Sequence, residues 1–291
     1  MKKIVAIVLA AVLMLAVFAG CEAVETDGPG KNTYNLTTVK PGYLTVATSP
    51  DYAPFEFYTL DENGKPTLAG FDMDLAQYIA DYLGLTLEIV TMDFDGTISE
   101  LGNKKCDLGM AGYSPDPKRL VYMDFTDIYY TSEQVLVTTA DKKDIITSTE
   151  IANNPNYKIG VQIGSIQSDL AKEFTPNADI VELSKVTDII MELSTGKLDA
   201  AFIETPVVQA YANTYKNLQI ACVIPQDDNG SVLGVYKGNA DLLKYVNEAI
   251  AKAKSDGTFD KYVIKAVDLA AGNKYEGLLG EDGKPTEPSQ G

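Results

Sequence analysis

The chain has 291 residues, of which 45% are hydrophobic, and its formal net charge is −17 at pH 7. Its length suffices for about two domains, and its excess of acidic residues excludes a polyanion such as nucleic acid as a partner. The sequence contains no histidine and no CxxC motif. Serine–histidine and cysteine–histidine catalytic pairs are therefore excluded, and we expect neither a metal nor a cofactor.

The first 20 residues have the pattern of a secretory signal peptide. Two lysines precede the apolar run Ile4–Phe18, which is shorter than the roughly 20 residues of a membrane-spanning helix. A membrane anchor helix is the less favoured alternative. The small residues before Cys21 resemble a bacterial lipobox, which implies export, lipidation of Cys21 and attachment to the cell membrane through the lipid alone. Residues 21–40 lack apolar periodicity and are predicted to carry this lipid on a flexible tether.

The rest of the chain alternates predicted strands with predicted helices. Residues 42–48 form a β-rich run, a hairpin turn is expected at Asn63-Gly64, and residues 71–83 have the apolar spacing of a helix that ends before Gly84. Further strands are predicted at 85–92, 106–112, 157–164, 178–183, 198–204, 218–224 and 231–237. Further helices are predicted at 94–105, 167–174, 186–196, 206–215, 240–257 and 258–269. This alternation with short connections predicts parallel sheets covered on both faces.

We expect two α/β lobes, because the C-terminal strand and helices are predicted to return to the first one. Lobe 1 comprises residues 41–134 plus 231–272, lobe 2 comprises residues 135–230, and residues 273–291 form a loose tail. The chain would cross between the lobes at 131–140 and near 222–232. Two such strands form a hinge with a cleft.

Arg119 is the single arginine of the chain and follows the sequence Ser114-Pro-Asp-Pro-Lys. Asp116 has the pattern of a helix N-cap with proline at the first helical position, which places Arg119 in the first turn. A cation is disfavoured there, whereas an anion is favoured, and a guanidinium can hold a carboxylate with two parallel hydrogen bonds. A surface ion pair with Asp116 or Asp124 is the alternative, and the local sequence does not decide between the two.

Eight segments, in this order, resemble the family-three extracellular solute-binding proteins, the polar amino acid receptors of bacterial ABC importers. They are DYAPFEF (51–57), GFDMDLAQYIADYLG (70–84), FDGTISEL (94–101), CDLGMAGYSPDPKR (106–119), MDFTDIYYTSEQVLV (123–137), IGVQIGS (159–165), GKLDAAFIETPV (196–207) and SDGTFDKY (255–262). The resemblance implies a type II periplasmic-binding-protein-like α/β clamp with two hinge strands. It also implies an amino acid ligand and an ABC permease as the membrane partner, and we expect a monomer.

The resemblance also implies which residues bind the two charged ends of an amino acid. Arg119 takes the position of the carboxylate-binding arginine, and Ser114 that of a residue contacting both carboxylate and amine. Gly112 falls where a backbone carbonyl accepts from the ammonium group. Glu204 stands where the family usually has an aspartate for the ammonium, and a solvated strand-end carboxylate is its alternative role. Ser165 and Ile166 fall where the second lobe offers backbone N–H groups to the carboxylate.

The remaining pocket residues concern the ligand's side chain. Tyr52 and Phe94 match aromatic positions that flank the ligand, with ordinary core packing as the alternative. The residues assigned to the distal end are Ser49, Tyr113 and Gln162. Because none of these side chains is charged, we expect a neutral amino acid.

Two other functions stay open at this point. An enzyme of the same fold, similar to a cyclohexadienyl or arogenate dehydratase, would have Glu204 as its only obvious acid and no histidine base. A ligand sensor that acts with a membrane receptor is the second alternative. A binding protein without catalytic residues is preferred. Cys106 and Cys222 could pair, although buried free thiols are favoured.

Overall fold

The computed structural model describes residues 28–226, 230–272, 274–275 and 277–286; the predicted signal peptide and Cys21 lie outside them. The strands are β1 (Tyr43–Thr48), β2 (Asp51–Tyr52), β3 (Glu56–Leu60), β4 (Pro66–Ala69), β5 (Thr86–Thr91), β6 (Leu108–Tyr113), β7 (Met123–Phe125), β8 (Gln134–Thr139), β9 (Lys158–Gln162), β10 (Asp179–Leu183), β11 (Ala200–Glu204), β12 (Leu218–Val223) and β13 (Val232–Tyr236). The helices are α1 (Phe71–Leu83), α2 (Phe94–Gly102), α3 (Thr149–Ala152), α4 (Ile166–Phe174), α5 (Val186–Ser194), α6 (Thr205–Ala212), α7 (Ala240–Ser255) and α8 (Thr258–Gly272), with a 3-10 helix at Pro117–Val121. None of the helices in the described ranges is long and apolar enough to cross a bilayer.

The predicted α/β architecture with two lobes is confirmed. The sheet of the first lobe has the order β5-β1-β6-β13-β7, and the sheet of the second has the order β10-β9-β11-β8-β12. A small antiparallel sheet, β2-β3-β4, extends the first lobe. The first and second lobes are named below by these sheets and by the helices packed on them.

The prediction of wholly parallel sheets is wrong, because each sheet is mixed. In the first lobe β1 is parallel to β5 and β6, whereas β13 is antiparallel to β6 and β7. In the second lobe β8 is antiparallel to both β11 and β12. β8 and β13 enter their sheets directly from the other lobe. They therefore lack the helical crossover that parallel neighbours require.

The chain passes between the lobes along two paired segments. Tyr129 N–H donates to the carbonyl of Ser231 at 3.0 Å, and Ser231 N–H donates to the carbonyl of Tyr130 at 2.8 Å. Ile224 N–H donates to the carbonyl of Gln134 at 2.8 Å on the second-lobe side. The first crossing lies just before β8, at the start of the predicted segment 131–140. The exact lobe boundaries stay a prediction.

Helix α1 shows how the sequence pattern produces this packing. Phe71, Leu75, Ile79 and Leu83 lie on one face and are fully buried. The helix ends at Gly84, which adopts a left-handed conformation with φ of 67°. Glycine has no Cβ to clash in this conformation, so it stops the helix at little cost. The predicted helix at 71–83 is confirmed with the same bounds.

The end segments differ from the predicted tether and tail where they are described. Tyr34 stacks on the rings of Tyr82 and Tyr245, with centroids 5.8 and 4.1 Å apart. At the other end Tyr275 N–H donates to the carbonyl of Tyr58 at 2.7 Å, and Thr91 Oγ1 donates to the carbonyl of Asp282 at 2.8 Å. Single aromatic side chains and hydrogen bonds to the backbone hold these segments against the first lobe. Such isolated contacts do not produce an apolar periodicity in the sequence.

The two cysteines in the described ranges are free thiols in different lobes. Cys106 is buried just before β6, and Cys222 is half-buried in β12. The preference for free thiols over a Cys106–Cys222 disulfide is therefore confirmed, although Cys222 is less buried than expected.

Candidate functional site

A small cavity of about 10 Å³ lies between the two lobes. The first lobe contributes the loop end of β2, the start of α2, the C-terminal end of β6 and the 3-10 helix. The second lobe contributes the end of β9 and the first turn of α4. The lining residues are Tyr52, Phe94, Ala111, Gly112, Ser114, Arg119, Gln162, Ile166 and Gln167. The cavity thus lies at the carboxyl ends of parallel strands, where open α/β sheets bind ligands.

Arg119 is buried between the lobes and does not point into solvent. Its side chain is 7% exposed. Nη1 donates to the carbonyl of Ser114 at 3.4 Å, and Nη2 donates to the carbonyl of Gly164 in the second lobe at 3.0 Å. The aromatic ring of Phe94 lies 5.6 Å from the guanidinium carbon. Arg119 therefore contacts both lobes and lines the cavity between them.

The local structure around Arg119 follows the predicted cap in part. The side chain of Asp116 accepts from Lys118 N–H at 2.9 Å, with proline at the first position. The element is a 3-10 helix, Pro117–Val121, and Arg119 lies in its first turn as predicted. Asp116 also lies 3.7 Å from Arg119 Nε, but both groups are largely buried rather than forming a surface pair. Asp124 binds Lys237 instead, at 2.6 Å.

Burial leaves the Arg119 cation incompletely neutralised. Desolvation lowers the pKa of Arg119, and its two Nη contacts are to neutral carbonyls. Asp116 supplies the closest carboxylate among the residues that the structure describes, at a distance longer than a hydrogen bond. A buried cation of this kind is stabilised when an anion binds it with good geometry.

Glu204 provides the opposite charge from the second lobe, at the junction of β11 and α6. It is 2% exposed, so the alternative of a solvated carboxylate is wrong. Its Oε1 accepts from Ser132 Oγ at 2.5 Å, and its Oε2 accepts from the hydroxyl of Tyr52 at 2.9 Å. Burial raises the pKa of Glu204 to about 7, and these two hydrogen bonds limit the rise. The contact with Tyr52 joins the two lobes.

The N-terminus of α4 faces the same cavity. Ser165 is its N-cap: the hydroxyl accepts from Ser168 N–H at 3.3 Å and donates to the carbonyl of Gln162 at 2.7 Å. Ile166, the first helical residue, lines the cavity. Gly164 precedes the cap with φ of 73°, and a Cβ there would approach Asp95 of the first lobe to 3.2 Å. This close approach brings the anion-favouring end of the helix opposite Arg119.

The aromatic residues predicted to flank a ligand lie at the cavity. Tyr52 and Phe94 both line it, and Phe94 also packs edge-on against Tyr113 in the first-lobe core. Core packing and cavity lining are therefore not exclusive for Phe94. Gly112 has φ of 57°, and a Cβ there would lie 2.8 Å from the ring of Tyr52. Only glycine leaves this ring in place.

The three residues assigned to the distal end occupy different places. Gln162 lines the cavity. Tyr113 is fully buried and donates its hydroxyl to Thr97 Oγ1 at 2.6 Å, so its side chain belongs to the first-lobe core. Ser49 donates to Asp51 Oδ1 at 2.7 Å rather than facing the cavity. The contact of Tyr113 depends on a neighbour 16 residues away, whereas Ser49 and Asp51 are only two residues apart.

Several residues near the cavity escaped the sequence analysis. Gln167 lines it and donates to Gln134 Oε1 at 2.8 Å. Gln167 lies in the first helical turn, two residues after Ser165. This position could have indicated from the sequence that Gln167 lies near the cavity. Glu56 and Asp72 are fully buried below Tyr52. Burial raises the pKa of Asp72 to about 7 and that of Glu56 well above its usual range. The raised pKa values favour the protonated, uncharged forms of both groups.

Comparisons with known proteins agree with this geometry. The model of the bacterial extracellular solute-binding proteins, family 3, matches residues 44–267. The arginine-binding extracellular protein ArtP of Bacillus subtilis is 31% identical over 75% of this chain and 83% of its own length. The histidine-binding periplasmic protein of Salmonella typhimurium is 29% identical over 79% of this chain and 89% of its own. An amino acid ABC transporter substrate-binding protein from Streptococcus pneumoniae, crystallised with L-arginine, is 34% identical, with a TM-score of 0.73 over 78% of this chain and 94% of that one.

Proposed function

The chain belongs to the bacterial extracellular solute-binding proteins of family 3, and from this premise we propose that it captures an α-amino acid with a cationic side chain, of the arginine class, for an ABC importer. The broader function, amino acid binding for an ABC transporter, follows from membership of the family and from its named relatives. These relatives are binding proteins, so the dehydratase alternative is not carried further. The observation that supports our proposal best is that Arg119 of the first lobe lines the cavity, while buried Glu204 of the second lobe accepts a hydrogen bond from Tyr52, which lines the same cavity.

Arg119 is the proposed partner of the ligand's carboxylate. Its planar fork of donors matches a carboxylate with two parallel hydrogen bonds, which the point charge of lysine cannot reproduce. The carboxylate would displace the carbonyl contacts of Ser114 and Gly164 from the guanidinium. The capped N-terminus of α4 would supply further backbone N–H donors from the second lobe.

Glu204 is the proposed partner of the ligand's ammonium group. Its carboxylate already accepts from Tyr52 across the cleft. The side chain, which is one methylene longer than the aspartate usual in the family, therefore reaches the first lobe. An ammonium group would take part in the same network with Tyr52 and Ser132. Because Arg119 and Glu204 come from different lobes, the ligand contacts both only in the closed state, and it therefore shifts the population toward closure.

The buried carboxyl groups near the cavity favour a cationic ligand side chain over the neutral one expected from the sequence. The comparisons do not support a neutral ligand: two of the relatives above are named for arginine and histidine, and the third holds L-arginine. Burial raises the pKa values of Asp72 and of Glu204, which contacts the cavity residue Tyr52, to about 7. A nearby ligand cation favours the ionised forms of these carboxyl groups, whereas a neutral side chain does not.

Lipid attachment outside the cytoplasm is part of the same proposal. The named relatives are extracellular or periplasmic proteins. The lipobox-like residues before Cys21 support anchoring of this chain, with the permease in the same membrane. Metabolic labelling with a radioactive fatty acid tests the anchor: label in the wild type and none in Cys21→Ala is expected, whereas equal label in both would exclude it.

Isothermal titration calorimetry against the twenty amino acids tests the ligand class. We expect L-arginine to bind with an affinity near micromolar, about −8 kcal/mol. Argininamide, which keeps the cationic side chain but lacks the carboxylate, should not bind measurably. Equal or tighter binding of a neutral amino acid would contradict the cationic ligand, and binding of argininamide would contradict the role of Arg119.

A further inference from the structure

Asp51 forms a contact between the lobes that the amino acid site does not use. It belongs to β2 of the first lobe, next to Tyr52, and is 2% exposed. Its Oδ2 accepts from Val186 N–H at 2.6 Å and from Gln162 Nε2 at 3.2 Å, and both donors belong to the second lobe. Tyr211 of the second lobe donates to the backbone carbonyl of Asp51 at 3.2 Å. A single first-lobe residue thus binds three elements of the second lobe.

The contact meets a deficiency of helix α5. The N-cap position of α5 is Lys185, whose side chain makes no capping hydrogen bond. Lysine cannot accept a hydrogen bond, and a cation at a helix N-terminus is unfavourable. Asp51 supplies the missing acceptor to Val186 N–H, the first amide of the helix, although it lies 135 residues away in sequence. Helix α5 is therefore capped by the other lobe.

Asp51 is saturated by these contacts and does not face the ligand. Ser49 donates to its Oδ1 at 2.7 Å, while Oδ2 already accepts two hydrogen bonds. Its side chain is absent from the cavity lining described above. A second interlobe contact lies beside it, because Lys185 Nζ binds Asp93 Oδ1 at 2.7 Å. These groups lie along the cleft, where opening of the lobes would separate them.

We propose that Asp51 is a closure latch: it stabilises the closed state by capping helix α5 from the opposite lobe and so raises affinity for every ligand equally, without touching the ligand. In the open state water replaces Asp51 at the helix terminus, and the charge-assisted hydrogen bond is lost. The inference rests on closure around an amino acid. It does not rest on the cationic side chain proposed above.

Two substitutions remove the latch from opposite sides. Asp51→Asn keeps the shape and removes the charge. Val186→Pro removes the N–H donor, and proline is tolerated at the first helical position. Lys185, with φ of −118° and ψ of 136°, already has the backbone conformation preferred before proline. Each variant is expected to weaken binding about tenfold or more. The double variant should lose little beyond either single one, because both remove the same contact.

Calorimetry on the full chain with L-arginine, L-histidine and L-glutamine tests the latch. Every ligand that binds the wild type should lose affinity by about the same factor in Asp51→Asn and in Val186→Pro. Hydrogen exchange of the ligand-saturated protein should show faster exchange at the start of α5 in Asp51→Asn than in the wild type. Loss confined to cationic ligands would make Asp51 their counter-ion and overturn the proposal. Unchanged affinity, or additive losses in the double variant, would overturn it as well.

Asp107 offers a matched control. It is also a fully buried carboxylate, and it accepts from Thr45 N–H at 2.9 Å and Val39 N–H at 2.8 Å, both within the first lobe. Asp107→Asn should lower thermal stability and leave ligand affinity unchanged. If the wild type binds glutamine rather than arginine, and Asp51→Asn still weakens that binding, the cationic ligand fails while the latch stands.

Discussion

At the level of single residues, the guanidinium of Arg119 is the proposed partner of the ligand's α-carboxylate. Arg119→Lys keeps the positive charge and removes the fork of donors. We expect it to lose about 2–3 kcal/mol of binding free energy, because a bidentate charged contact is replaced by a single one. Calorimetry with L-arginine measures the loss. Lys105→Ala, which removes an exposed cation paired with Glu100, should bind like the wild type.

Glu204 makes binding depend on pH, and the sign follows from its environment. In the ligand-free closed arrangement burial raises the pKa of Glu204 to about 7. A bound ammonium group favours the ionised carboxylate and lowers that pKa. The extra affinity is therefore fully present above pH 7 and is lost as the pH falls through 7, by at most about tenfold per pH unit. Titrations between pH 5 and 8 should show this loss in the wild type.

Glu204→Gln is the control for this pH dependence. Its amide cannot titrate, so its affinity should be weaker than that of the wild type and should depend less on pH across that range. A wild-type affinity that does not change between pH 8 and 5, or an equal pH dependence in Glu204→Gln, would contradict the assignment of the ammonium partner.

Several residues of the site could be predicted from the sequence, whereas residues whose partners are distant in sequence could not. The unique Arg119 after a capped turn predicted an anion site, and the resemblance placed Glu204 and Tyr52, which the structure brings together. Asp51 was missed because its donors, Val186 and Gln162, are distant in sequence. No local pattern distinguishes a carboxylate that caps a helix of the other lobe from an ordinary loop residue.

At the element scale, the predictions succeed where periodicity is strong. Helix α1 buries every fourth residue and has the predicted bounds. The short elements β7 and α3 were not predicted, because three or four residues are too few for a period to show. The mixed direction of the sheets was not predicted either. The alternation of strands and helices along the sequence does not show from which lobe the chain enters a strand.

Substitution of Gly84 by alanine tests how helix α1 is terminated. Gly84→Ala places a Cβ in a left-handed conformation and 2.2 Å from Thr33 Oγ1. Gly64→Ala is the matched control, because Gly64 has φ of 75° but no atom within 4 Å of the added Cβ. We expect Gly64→Ala to lower the free energy of unfolding by about 1 kcal/mol from backbone strain alone. Gly84→Ala should cost more in chemical denaturation, and equal losses would contradict the role of the Thr33 contact.

At the scale of the whole molecule, the lobes are held together by contacts of different kinds. Tyr52–Glu204 and Arg119–Gly164 lie at the cavity, whereas Lys118–Asp169 is an exposed pair at 2.7 Å. Exposed pairs of this type contribute little, about 0–1 kcal/mol. Closure therefore depends on the buried contacts and on the ligand that they surround.

Small-angle X-ray scattering follows this closure in solution. Saturation with L-arginine should lower the radius of gyration of the wild type, because the ligand favours the closed state. Arg119→Lys at the same ligand concentration should show a smaller decrease. An equal decrease in a variant that binds no ligand in calorimetry would show that closure is independent of Arg119.

The central claim is that an α-amino acid is held between Arg119 of the first lobe and Glu204 of the second. A crystal structure of the protein with L-arginine tests it most directly. We expect both Nη atoms of Arg119 within about 3 Å of the ligand's carboxylate oxygens, and Glu204 within the same distance of its ammonium nitrogen. A ligand bound in the cleft with its carboxylate away from Arg119 would contradict the account.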